Sequence, residues 1–263
     1  VSRPEEVTSA SNPLLKDIRK AIARGARTRE GFAIAETYHL LEEALRSGCE
    51  IGAVVASQSA LPQVDKLTKG LAGVRRIVLR DAVFQELSGT EAAQGVMALV
   101  RPRPWETDRL FCGRPLIVVL DGIQDPGNAG AVIRAAEAFG ATGLMFLKGT
   151  VSADNPKAIR ASAGSVFRVP LVTGLDAREA KALLEDRGVA LFAAMPAEGI
   201  APADADLTRP CAFAIGSEGR GVTAALGEGA RALRIPVSGV ESLNAAMAAG
   251  ILLYETRRQR AVR

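Results

Sequence analysis

The chain has 263 residues, 48% of them hydrophobic and only 4% aromatic. It is therefore too apolar to be disordered, and long enough for one large domain or two modest ones with cores of Leu, Ile, Val and Ala. Thirty-three Lys and Arg against 29 Asp and Glu leave a formal charge of +4, which permits a polyanionic partner without requiring one. A single histidine, His39, and three scattered cysteines, Cys49, Cys112 and Cys211, argue against a histidine-built metal site or triad, a zinc spacing and a disulfide framework.

The thiols read as small buried hydrophobes of a reducing cytoplasm. No secretory signal is expected at the start of the chain. No apolar run is long enough to span a bilayer; Ala245 to Tyr254 is too short and reads as a buried helix.

The first strong helical period runs from Pro13 to Arg24. Leu15, Ile18 and Ile22 line one face, and Lys16, Lys20 and Arg24 another, with Arg19 beside them. Ser11-Asn12-Pro13 supplies a cap and a first-turn proline. Arg27 and Arg29 follow in a loop. Six basic residues within fourteen positions, with one acid among them, form either a solvated face or an RNA-facing edge; their density favours the RNA edge.

Phe32 to Ala35 reads as a strand, Glu36 to Arg46 as a helix ended by Gly48, and Gly52 to Ala56 as a strand. Leu61 to Thr68 is a helix, Ile77 to Leu79 a strand, Ala82 to Leu87 a helix and Val96 to Val100 a strand. This alternation predicts a compact α/β/α module. Arg101-Pro102-Arg103-Pro104-Trp105 can continue neither element and marks a linker, which gives domains at 1–105 and 106–263.

The second half is a clearer α/β pattern. Leu116 to Leu120 is a continuous apolar run, as in a strand covered on both faces. Asn128 to Phe139 is a helix, Gly143 to Leu147 a strand, and Lys157 to Ala163 and Asp176 to Arg187 are helices. Ala190 to Ala194, Ala212 to Ile215 and Ala232 to Ile235 are strands. Glu241 to Arg258 is the last helix, with Arg257, Arg258 and Arg260 near the negative end of its dipole.

Three glycine-bearing segments hold the candidate chemistry. Asp121 to Gly130 lies between a buried strand and a helix, where parallel sheets gather ligands. It is not G-x-G-x-x-G and lacks the Lys-Ser/Thr of a phosphate loop. Asn128 reads as a helix cap, whether or not it does more. Arg134, inside the apolar stretch that follows, either faces solvent or turns inward and needs a partner. Gly216-Ser217-Glu218-Gly219-Arg220-Gly221 follows an apolar strand; it is either a loop whose amides line a pocket or a plain strand-to-helix turn. In Ile235 to Asn244, Pro236 ends a strand, Gly239 permits a sharp bend, and Glu241 or Ser242 caps the final helix. Asn244, one step inside that helix, has fewer structural reasons to be there.

These segments carry a resemblance. Asn128-Ala129-Gly130-Ala131-Val132-Ile133-Arg134-Ala135-Ala136 with Phe139-Gly140-Ala141, then Phe213 to Gly221, then Ile235 to Asn244, resemble in type, order and spacing the three signature motifs of the SpoU (TrmH-like) branch of the SPOUT methyltransferases. The likeness covers the last three fifths of the chain. Gly31 to Gly48 and the Gln94-Gly95-Val96 strand entry resemble the substrate-binding domain that precedes the catalytic domain in many SpoU enzymes, itself similar to kink-turn-binding ribosomal proteins.

The resemblance implies an α/β catalytic domain with a parallel sheet and a deep trefoil knot. It implies transfer of a methyl group from S-adenosylmethionine to a ribose 2′-oxygen of structured RNA, in a homodimer without metal. The N-terminal module favours ribosomal over transfer RNA; a tRNA 2′-O-methyltransferase and a non-catalytic RNA-binding protein of the same fold are the alternatives. By the same resemblance Arg134, Asn128, Glu218, Ser242 and Asn244 form the catalytic set, and main chain near Gly216, Ile235 and Leu243 holds the cofactor. Lys16, Arg19, Lys20, Arg24, Arg27 and Arg29 are the expected RNA contacts. Where the family usually continues Asn-Val-Ser, this chain has Asn244-Ala245-Ala246, without the hydroxyl.

Overall fold

The computed structural model describes residues 4–9, 11–69, 71, 73–90 and 93–261. In chain order the strands and helices of the first 101 residues are β1 (Glu5–Glu6), α1 (Pro13–Arg24), β2 (Ala33–Glu36), α2 (Tyr38–Arg46), β3 (Glu50–Ser57), α3 (Leu61–Leu67), β4 (Arg75–Leu79), α4 (Asp81–Leu87) and β5 (Val96–Arg101). Then come β6 (Leu116–Asp121), α5 (Pro126–Phe139), β7 (Gly143–Leu147), α6 (Pro156–Ala161), β8 (Leu171–Leu175), α7 (Ala177–Asp186), β9 (Ala190–Ala194), β10 (Cys211–Gly216), α8 (Ala224–Gly227), β11 (Arg231–Leu233) and α9 (Ala245–Ala261).

Contacts gather these elements into two units. One runs to Arg103 and takes in Asp154–Phe167; the other holds Pro104–Ala153 and the chain from Arg168 onward. The first unit is built on a sheet of order β1-β4-β3-β5-β2, with β1, β4 and β3 mutually parallel and β5 antiparallel to β3 and β2. Asn12 caps α1 by accepting the Leu14 N–H at 2.9 Å. The helix lays Leu15 and Ile18 on the core with Phe84 and Met97 and leaves Lys16, Lys20 and Arg24 exposed.

The segment 154–167 joins this unit from far along the chain. Asn155 caps α6, which packs on β2. Arg160 lies 3.5 Å from the buried Glu36 carboxylate, and Arg27 forks onto Asp154 at 2.7 and 3.1 Å. Periodicity predicts the helix; its partner, more than a hundred positions upstream, leaves no local trace.

The second unit is a six-stranded sheet of order β11-β9-β10-β6-β7-β8, parallel throughout. Its central strands β6, β10 and β7 are almost wholly buried, which is why they read as unbroken apolar runs. β8 goes unread in the sequence because its residues are half-buried or exposed and Gly174 breaks its register with β7. α9 packs on α5 and on β10. The pairing of β6 with β10 sets Asp121 opposite Gly216 at the carboxyl ends of two central strands, the edge where parallel sheets present ligand sites.

Candidate active site

The chain leaving β6 is held from several sides. The buried Asp121 carboxylate accepts the Thr223 N–H at 2.7 Å. The Gly122 N–H donates to the Thr150 hydroxyl at 3.0 Å, and the Val151 N–H to the Ile123 carbonyl at 2.8 Å. α5 then begins at Pro126, not at Asn128, and its cap is Asp125, whose Oδ1 accepts the Asn128 N–H at 2.7 Å. An acid followed by a first-turn proline is a helix-start signal, so Asp125 was readable as the cap.

Relieved of capping, the Asn128 side chain turns to the site. Its Nδ2 donates to Glu218 Oε1 at 2.6 Å, and its Oδ1 accepts from Asn244 Nδ2 at 2.9 Å. Asn244 Nδ2 also lies 3.4 Å from Glu218 Oε1. Asn244 is itself the cap of α9, because its Oδ1 accepts the N–H groups of Ala246 and Met247 at 2.9 and 3.3 Å. This corrects the sequence expectation of a helix starting at Glu241, capped by Glu241 or Ser242, with Asn244 inside it.

The orientations of both amides follow from the network. Two backbone N–H groups fix the Asn244 oxygen, so its nitrogen faces Asn128 and Glu218; Asn128 must then offer its own oxygen to Asn244 and its nitrogen to the carboxylate. Glu218 thus receives the side-chain amides of Asn128 and Asn244. Ala246, which lacks the usual hydroxyl, has its N–H satisfied by the same cap.

Between β10 and α8 the chain folds back on itself, with Ser217 bridged to Gly221 and the Gly221 N–H donating to the Ser217 carbonyl at 2.8 Å. A Cβ at Gly216 would overlap the Gly221 carbonyl and the Val222 nitrogen, so only glycine fits there. This loop forms one wall of a cavity of about 400 Å³. Gly216, Ile235 and Leu243 line it, together with Ser242, Glu218, Leu233 and Met195. The lining is mostly apolar residues and glycines, with Ser217, Glu218, Arg220, Glu241 and Ser242 as its polar members. That donor set suits S-adenosylmethionine: apolar walls for the adenine ring, main-chain groups for its polar edge and negative charge toward a sulfonium.

Ile235 to Leu243, which forms another wall, makes no hydrogen bond of its own among the described residues. A second cavity, of about 290 Å³, lies across the Ser217–Arg220 loop, against Ile123, Gln124, Asp125 and Asn128.

Arg134 does not join the cluster. It is exposed on α5, about 120° around the helix from Asn128, and bonds to no described residue. Ser242 is exposed at the cavity, likewise without a partner. Of the basic residues singled out near the N-terminus, Lys16, Lys20 and Arg24 are exposed, Arg19 is half-buried, Arg27 is engaged with Asp154, and Arg29 is exposed with Asp17 at 3.9 Å. Asp121 escaped sequence reasoning because its partner Thr223 is 102 positions away.

All three thiols are unpaired; Cys112 is exposed rather than buried, and Cys49 is half-buried. Burial pushes the Cys211 thiol up to about 11. Among the described residues no three His, Cys, Asp or Glu converge on a metal position, and no helix is long and apolar enough to cross a membrane.

Residues 115–254 match the SpoU rRNA Methylase family, and residues 12–98 the MRM3-like substrate binding domain. The 23S rRNA (guanosine(2553)-2′-O)-methyltransferase RlmP of Bacillus subtilis is 31% identical over 96% of this chain and 99% of its own. Among solved structures, the SpoU methyltransferase AviRb of Streptomyces viridochromogenes in complex with AdoMet superposes with a TM-score of 0.87 at 28% identity, covering 95% of this chain and 98% of that one. The AdoMet-bound rRNA methyltransferase of Sinorhizobium meliloti gives a TM-score of 0.83 at 28% identity, with 98% of each chain covered.

Proposed function

The chain belongs to the SpoU rRNA methylase family, and from that premise we propose that it transfers a methyl group from S-adenosylmethionine to a ribose 2′-oxygen of structured RNA, with ribosomal RNA as its substrate. The parallel sheet is the one typical of the knotted SPOUT methyltransferase domain. One observation carries the reading. A cavity suited to the cofactor opens beside the Asn128–Glu218–Asn244 cluster, where the ends of β6 and β10 meet the start of α9.

Bound there, S-adenosylmethionine supplies a methyl carbon that is already electrophilic. The protein's task is to bring the ribose oxygen in line, ease its proton away and exclude water. In our reading Gly216, Ile235 and Leu243 hold the cofactor through main chain. Asn128 and Asn244 fix the Glu218 carboxylate, whose second oxygen accepts a hydrogen bond from the ribose 2′-hydroxyl, orients it and takes its proton as the methyl–oxygen bond forms. Arg134 meets the RNA from the solvent side. A guanidinium is a poor base, so Arg134 acts by stabilising negative charge on the ribose oxygen and holding the neighbouring phosphate, not by abstracting a proton.

The N-terminal unit, with its match to a substrate binding domain, engages the RNA, and Lys16, Lys20, Arg24 and Arg29 supply phosphate contacts that weaken with salt. We take the active species to be a homodimer in the cytoplasm. The α9 stripe Met247, Ile251 and Tyr254, at 58, 36 and 57% exposure, supports the first part, and three unpaired thiols support the second. Titration calorimetry with S-adenosylmethionine, followed by transfer of tritiated methyl to unmodified ribosomal RNA, tests the activity. Cofactor binding with label entering ribose 2′-O positions is expected. Tight RNA binding without cofactor binding would leave an RNA-binding protein and no enzyme.

A further inference from the structure

Three charged residues line the cofactor cavity: Glu218, Arg220 and Glu241. Glu218 is engaged through Oε1 with the amides of Asn128 and Asn244. Arg220 and Glu241 are exposed, and their side chains bond to no described residue. Two side chains of opposite charge thus stand at one cavity unneutralised, and the catalytic reading uses neither.

Their roots differ. Arg220 sits in a turn whose backbone is held: its N–H donates to the Ser217 hydroxyl at 3.3 Å, and the Gly221 N–H to the Ser217 carbonyl at 2.8 Å. The stem is anchored while the guanidinium stays open, a planar cation whose paired donors match the edge of a carboxylate. Glu241 belongs to Ile235–Leu243, which makes no hydrogen bond of its own among the described residues, so its carboxylate is free to follow a ligand.

S-adenosylmethionine brings three charges to such a cavity: a sulfonium, an α-ammonium and an α-carboxylate. The lining offers two acids and one base against these two cations and one anion, an opposite for each. Glu218, fixed beside Asn128 and Asn244, answers the sulfonium at the reacting end. Arg220 and Glu241 are left for the amino-acid end. Arg220 also lines the second cavity, where an RNA phosphate would compete for it. It is, however, the only cation among the residues lining the cofactor cavity, and a carboxylate removed from water without a partner is costly.

We infer that Arg220 holds the α-carboxylate of S-adenosylmethionine and Glu241 its α-ammonium. The inference rests on the methyltransferase reading and adds to it two side chains that recognise the methionine end, beside the main chain that grips the rest.

Three ligands that differ only at that end test it by titration calorimetry, without turnover. S-adenosylmethionine carries both charges, its decarboxylated form the ammonium alone, and 5′-methylthioadenosine neither. Arg220→Gln is expected to weaken S-adenosylmethionine about tenfold, the worth of one charge-assisted pair, and not to weaken the other two. Glu241→Gln is expected to weaken S-adenosylmethionine and its decarboxylated form by a similar factor and to leave 5′-methylthioadenosine at the parent affinity. Both variants should melt with the parent, since neither side chain bonds to a described residue. An Arg220→Gln protein that binds S-adenosylmethionine as the parent does, or loses 5′-methylthioadenosine equally, overturns the carboxylate assignment; a raised KM for RNA with unchanged cofactor affinity would hand Arg220 to the RNA instead. Glu241→Gln without loss on the two ammonium ligands overturns the other half. A parent protein that binds none of the three ligands removes the methyltransferase reading itself.

Discussion

Arg134 and Gly216 make opposite demands on their surroundings. Arg134 is exposed and bonds to no described residue, so its removal costs the fold almost nothing. Loss of a preorganised charge at a reacting oxygen typically slows chemistry about 10²–10³-fold, and Arg134→Ala is expected to lose methyl transfer on that scale. Its melting temperature and calorimetric cofactor affinity should stay put. Arg134→Lys should fail as well, because a point charge does not reproduce a bidentate fork; near-parent turnover by Arg134→Ala would make the residue a surface arginine. Gly216→Ala is the converse. The added methyl meets backbone at Gly221 and Val222, so the loop must open and the cavity wall must move. Its cofactor binding is expected to vanish from calorimetry while circular dichroism retains the α/β signature, the rest of the sheet being untouched.

Among the elements, α9 has its two ends engaged in different work. At its start Asn244 is both cap and member of the cluster. Near its finish Arg260 stands in the last turn, at the negative end of the helix dipole as expected, and it also donates to the carbonyls of Leu207, Arg114, Pro115 and Arg209 at 3.1, 3.0, 2.9 and 2.7 Å. It thereby ties together the segments entering β6 and β10, and Gln259 adds bonds to Pro202 and Leu207. Charge-assisted bonds of this kind are worth about 1.5–3 kcal/mol, and urea unfolding of Arg260→Ala should show a loss of at least that order, only partly recovered by lysine, which lacks the fork. The segment Ile235–Leu243 is the opposite case, since none of its amides is bonded to another described residue. Hydrogen exchange should find these amides unprotected without ligand and protected once S-adenosylmethionine is added; protection in the free protein, or none gained, would remove this segment from the cofactor site.

For the whole molecule the open matter is assembly. Met247, Ile251 and Tyr254 recur one turn apart on α9 and are exposed large apolar residues, and Tyr254 sits edge-on to Phe139 of α5 at 5.9 Å between ring centres. Such a stripe on a helix is costly to leave in water. Sedimentation at micromolar concentration is expected to give twice the 27.5 kDa chain mass, and Met247→Glu combined with Ile251→Glu to give the single mass. A monomeric parent protein would count against the dimer.

The sequence alone determined the class and most of the elements. β7 and β9 come out with the bounds expected, and β6 and β10 within a residue, because strands covered on both faces must be continuously apolar and glycine or proline must punctuate them. It also pointed to Asn128, Glu218 and Asn244 through the resemblance of three motifs. Only the tertiary structure decided what these residues do to one another. Their bonds span 90 and 116 positions, and no local propensity records a partner at that distance. The same reason hid the Asp121–Thr223 tie, the docking of 154–167 on β2 and the Arg260 clamp. Local pattern reports which side chains must be buried or capped; which distant groups satisfy them is settled when strands pair side by side.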